Sequence, residues 1–109
     1  MALTRDFKET IAARVQKDAR FRRALLAEAV GTLLRGELDA GKAMLRDYIN
    51  ATIGFAALAK EIGKDSKSIH RMLGPKGNPT ADNIFSIVKI LQKAGDLSFQ
   101  VKVSQHKAA

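Results

Sequence analysis

Apolar residues recur three and four positions apart through most of the chain, the spacing of helices with one buried face. Phe7, Ile11 and Val15 open the pattern and predict a first helix over residues 7–17. Thr4 or Asp6 would cap it, and Glu9 stands in capping-box register with Asp6. Asp18 restarts the pattern. A second helix is expected over 19–35, carrying Phe21, Leu25, Leu26, Ala29, Leu33 and Leu34, and Gly36 closes it. A third, over 38–51, presents Ala43, Met44, Leu45, Tyr48 and Ile49. A fourth, over 55–62, puts Leu58, Ala59 and Ile62 on one face, and the small Ala59 lets a neighbour cross closely. Gly63 ends it, because the left-handed backbone needed there suits glycine at no steric cost. Asp65 is a good N-cap for a fifth helix over 66–73, with Ile69, Met72 and Leu73 inward. Thr80 caps a sixth over 81–94, striped by Ile84, Ile87, Val88 and Leu91, and Gly95 and Asp96 break it.

The period then changes. Leu97-Ser98-Phe99-Gln100-Val101-Lys102-Val103-Ser104 alternates apolar and polar residues, the pattern of a half-buried strand. A lone strand leaves backbone groups unpaired. Leu97, Phe99, Val101 and Val103 are therefore expected to pair across the two-fold axis of a homodimer, or with a different protein by strand addition. The tail from 105 to 109 is expected to fray. The fold class is thus all-α with one C-terminal strand, within the 109 residues of a single domain. Its parts are an N-terminal helical extension (1–36), a helix-turn-helix unit (37–96), and the strand and tail (97–109).

The fourth and fifth helices carry the chemistry. Two short helices meeting at a steep angle through a glycine turn, the second with a small, cationic outer face, form the DNA-reading arrangement. The outer face of the fifth helix holds Ser66, Lys67, Ser68, His70 and Arg71, the candidate base contacts. Ser66 and Lys67 stand at its leading end, and Arg71 follows Lys67 by one turn. Arginine and lysine donate to guanine O6 and N7, so a G·C pair in the site is expected. Lys64, Gly74, Lys76, Gly77 and Asn78 flank the helix as candidate phosphate contacts, the glycines letting main-chain N–H groups come close. A net charge of +8 points to the same anionic partner.

The run from Ile69 through Gly74-Pro75-Lys76-Gly77-Asn78-Pro79-Thr80 resembles the end of the reading helix and the following loop in the Cro/lambda-repressor-like (Xre) family. The resemblance spans residues 40–94 and implies a lambda-repressor-like bundle that binds double-stranded DNA as a homodimer and regulates transcription, most simply as a repressor. The sequence departs from that family at two places. Phe55 stands where many members have a phosphate-anchoring glutamine, and Lys64 stands where an apolar residue is usual. Both departures, with Gly77-Asn78-Pro79, are similar to a subgroup of addiction-module antidote proteins. The alternative implied is an antitoxin that binds its own operator and holds a toxin protein.

Other classes fare worse. With no cysteine and only His70 and His106 as histidines, no nucleophile, metal cluster or isolated carboxylate pair is visible, so neither an enzyme nor a cofactor is expected. One tyrosine and no tryptophan disfavour stacking on single strands. A protein-interaction module that has lost DNA reading is the remaining rival. Arg14, Lys17, Arg20, Arg22 and Arg23 form a second basic run, read first as a solvated helix junction and second as a phosphate or acidic-partner contact. No signal peptide or membrane-length apolar run is seen, so a cytoplasmic bacterial protein is expected.

Overall fold

The computed structural model describes residues 5–106. Six helices follow in order: α1 Arg5–Lys17, α2 Ala19–Leu34, α3 Leu38–Ala51, α4 Phe55–Ile62, α5 Ser66–Met72 and α6 Ala81–Gly95. The expected cap side chains at Thr4 and Asp6, the Phe7 side chain, and residues 107–109 lie outside what is described.

Local chemistry sets the boundaries. The Asp18 carboxylate accepts the Phe21 N–H at 3.1 Å and starts α2. Gly36, at φ 85°, follows its end. Thr80 accepts the Asn83 N–H at 3.1 Å and starts α6. Beyond Gly95, Asp96 takes the left-handed conformation at φ 53°, one of the few non-glycine residues that tolerates it.

One apolar cluster runs through α2 to α6. Leu26 and Ala29 of α2 meet Leu45, Tyr48 and Ile49 of α3, and the cluster continues through Leu58, Ile69, Leu73, Ile87 and Leu91. The α2–α3 seam is the most extensive helix pair. Its backbones come close because position 41 has no side chain: a Cβ on Gly41 would lie 2.6 Å from the Leu33 side chain and 3.1 Å from its backbone nitrogen. α1 lies across α2 and α3 and buries Val15 completely. Leu34, expected on the inner face of α2, is instead 64% exposed, because in that turn Leu33 and Thr32 take the side that faces the seam.

The C-terminal strand is not formed. Among the described residues there is no strand, and the segment from 97 to 106 is irregular. The alternation has another cause. The Leu97 N–H donates to the Gln92 carbonyl at 2.8 Å, and the Phe99 N–H donates to Gln92 Oε1 at 3.0 Å. Leu97 and Phe99 pack against the core as a clasp over the end of α6. Val101 and Val103 have left the core and are 77% and 91% exposed. Among the described residues no second strand exists to complete a ladder, so Leu97, Phe99, Val101 and Val103 are not paired as a strand within the chain.

Candidate nucleic-acid interface

α4 has eight residues, and Phe55, Leu58 and Ala59 form its buried side. Gly63 follows in the left-handed conformation at φ 79°. The Gly63 and Lys64 N–H groups both return to the Ala59 carbonyl, at 2.9 and 3.0 Å, which turns the chain sharply. Asp65 then accepts the Ser68 N–H at 2.7 Å and opens α5. That backbone bond, then the Ser68 hydroxyl, hold the Asp65 carboxyl below its ordinary value of 3.8, with Arg71 adding a smaller pull.

α5 is only seven residues long, ending one residue before the expected Leu73. Ile69 and Leu73 are fully buried and anchor it. Lys67, His70 and Arg71 are exposed, and Ser66 and Ser68 are half-buried at the leading end. The five expected base-contacting residues therefore all retain exposed surface. His70 has an additional partner: its ring stacks on Phe55 at 3.8 Å between centroids, with 23° between planes. This stack covers one face of the imidazole, and His70 as a whole remains exposed. Phe55 is itself buried. It joins the start of α4 to the middle of α5.

The loop after α5 folds back beneath the helix. The Gly74 N–H donates to Arg71 O at 3.1 Å, and the Gly77 N–H donates to Gly74 O at 3.0 Å. A Cβ on Gly77 would overlap the carbonyl oxygens of Arg71 and Met72, so only glycine fits there. Lys76 and Asn78 are exposed, as is Lys64 in the turn. Lys64 thus stands exposed just before α5, and Lys76 and Asn78 stand exposed in the loop just after it, where Gly74 and Gly77 are tied back by hydrogen bonds.

One residue of this assembly was missed in the sequence. Lys42 of α3 is only 2% exposed. Its ammonium donates to Gly74 O at 2.9 Å and to Gly77 O at 2.8 Å, and lies 3.6 Å from Asp39 Oδ1. The signal was available: Lys42 precedes Leu45 by three residues and Ile49 by seven, so it stands in the apolar register of α3.

The second basic run is partly consumed internally. Arg22 Nη1 donates to the carbonyls of Val15 and Gln16 at 2.9 and 3.3 Å, closing the end of α1. Arg14 lies 4.6 Å over the Phe21 ring and 3.8 Å from Asp18. Lys17, Arg20 and Arg23 remain exposed. A cleft of about 530 Å³ opens between Arg22, Tyr48, Thr52 and Leu91. Burial raises the Tyr48 hydroxyl above its ordinary value there, with the Arg22 charge opposing.

Among the described residues, no three side chains of metal-binding type come together, and no helix is long and apolar enough to cross a membrane. Comparisons with protein-family models, with curated proteins and with solved structures return no match to this chain.

Proposed function

We propose that the chain is a sequence-specific double-stranded DNA-binding regulator, most simply a repressor, in which α4 and α5 act as a helix-turn-helix. The observation that carries this reading is the outer face of α5. Lys67 and Arg71 stand one turn apart and exposed, while Ile69 and Leu73 fix the opposite side in the core. A helix held this firmly from behind, with cations in front and basic turns at both ends, suits a major groove.

α5 enters the groove with Ser66 and Lys67 leading. Lys67 and Arg71 donate to guanine edges, each worth about 1–3 kcal/mol of discrimination. Ser68 and the edge of His70 add weaker contacts. Lys64, Lys76 and Asn78 meet phosphates and set the register. Two copies on an inverted repeat place their α5 helices about one helical turn apart. The action is binding without turnover.

A second reading is favoured by the tail. Val101 and Val103 expose apolar side chains beside Lys102, which suits a protein partner. In the antitoxin alternative that partner is a toxin, and DNA binding by α5 serves autoregulation.

Selection from random duplexes at about 150 mM salt, with sequencing, tests the main reading. The expected result is an enriched inverted repeat, lost in Lys67→Ala and Arg71→Ala. Equal, unselective binding by all three proteins would reduce the charge to a generic property.

A further inference from the structure

We propose that Lys42, buried behind the DNA-facing surface, is the positioning residue that aims the loop after α5 at a phosphate. The proposal rests on the DNA-binding reading and adds a residue to it.

An ammonium has three protons, and that of Lys42 has three oxygens around it: Gly74 O, Gly77 O and Asp39 Oδ1. A lysine with its side chain 2% exposed loses nearly all its hydration. An apolar residue of the same length would serve simple packing as well or better. What the ammonium does, and an apolar residue cannot, is hold the Gly77 carbonyl inward and add a second donor to Gly74 O, which also accepts the Gly77 N–H.

The consequence follows from peptide geometry. Every peptide bond described is trans, and in a trans peptide the N–H points away from the C=O. With Gly77 O drawn toward Lys42, the Asn78 N–H on the same peptide turns outward. It makes no bond to another described residue. At the other carbonyl, the next residue is Pro75, which has no N–H. The exposed surface of the loop therefore gains a main-chain donor at Asn78, beside the side chains of Lys76 and Asn78, and loses two acceptor oxygens that would repel a phosphate. The ammonium also polarises the Gly77–Asn78 peptide, which strengthens the Asn78 N–H as a donor.

The chain has no cysteine, so Lys42→Cys supplies a single thiol. Alkylating it in denaturant with 2-bromoethylamine and refolding restores an ammonium at the same reach. 1-Bromopropane gives a neutral side chain of equal length. The two proteins and the native chain are compared on the selected duplex. The propyl protein is expected to bind about tenfold weaker. Its log affinity–log salt slope should be shallower by about 2 for a dimer, one phosphate per subunit. The aminoethyl protein should recover both. In amide NMR spectra, the Asn78 N–H should shift on adding duplex to the native and aminoethyl proteins, and not to the propyl protein.

A propyl protein with native affinity, slope and Asn78 shift would overturn the proposal and leave Lys42 as a stability element. An Asn78 N–H protected from hydrogen exchange in the free native chain would overturn it without any variant, even if the propyl protein fails to fold. A native chain that binds no duplex removes the DNA-binding reading instead. The Asn78 exchange rate in the alkylated proteins then still tests the loop: identical rates would overturn the positioning role.

Discussion

α2 and α3 meet along a seam in which Leu26, Ala29, Leu45 and Ile49 share one apolar cluster. α5 and its loop reach that cluster only through Ile69 and Leu73, and are held besides by individual atoms at each end. Asp65 pins the start, Lys42 pins the loop, and Gly63 and Gly77 supply backbone that no other residue fits well. The difference follows from what each region exposes. α2 and α3 can devote wide faces to the core. A seven-residue helix with an exposed cationic face has only Ile69 and its neighbours to bury, and it is too short to be stable alone. Apolar seams tolerate adjustment because many contacts share the load. Polar pins do not, because each acts through one or two bonds.

Changes of decreasing size probe that contrast. Leu45→Ala should cost about 2–5 kcal/mol, lowering the global denaturation midpoint and speeding amide exchange throughout α2 and α3. An effect confined to the seam, with α5 left protected, would show that the two regions unfold independently. Gly77→Ala forces a Cβ against backbone carbonyls that cannot swing aside, and should cost about 1–3 kcal/mol. Unlike Leu45→Ala, it should abolish duplex binding at temperatures where the protein is still folded.

Asp65→Ala should lower the midpoint less and raise exchange chiefly in α5. The same pin has a pH signature. The folded carboxyl titrates below 3.8, so its contribution is full above that value and disappears as pH falls through the folded value. A chain with Asp65→Asn, which still accepts the Ser68 N–H, should lose less stability between about pH 5 and 2 than the native chain, as thermal melts would show. The smallest effect on stability belongs to Lys67→Ala and Arg71→Ala, within about 0.5 kcal/mol each. Their large loss of duplex affinity would set the face apart from its supports.

How much of this the sequence disclosed depended on the range of the interaction. α3 and α4 begin and end where periodicity and Gly63 place them, because caps and turns act within a few residues. Asp18, Asp65 and Thr80 accept the N–H groups three residues on, again local chemistry. The tail misled because period two marks any extended segment with one side on a core. Whether it pairs depends on a neighbouring strand, and alternation alone does not reveal one. Lys42 was overlooked because a lysine reads as surface by type. Its acceptors lie 32 and 35 residues away, so only its place in the apolar register of α3 hinted at burial. The Phe55–His70 stack likewise joins two helices, and neither residue alone announces the other.

That stack makes the protein its own reporter. An imidazole 3.8 Å from a phenyl ring sits within its ring current, so the carbon-bound protons of His70 should resonate upfield of an ordinary histidine. The other histidine, His106, is exposed in the tail and should resonate normally. Two resolved histidine signals would thus follow two parts of the chain without any label, and a tilt of α5 against α4 should move one while leaving the other still.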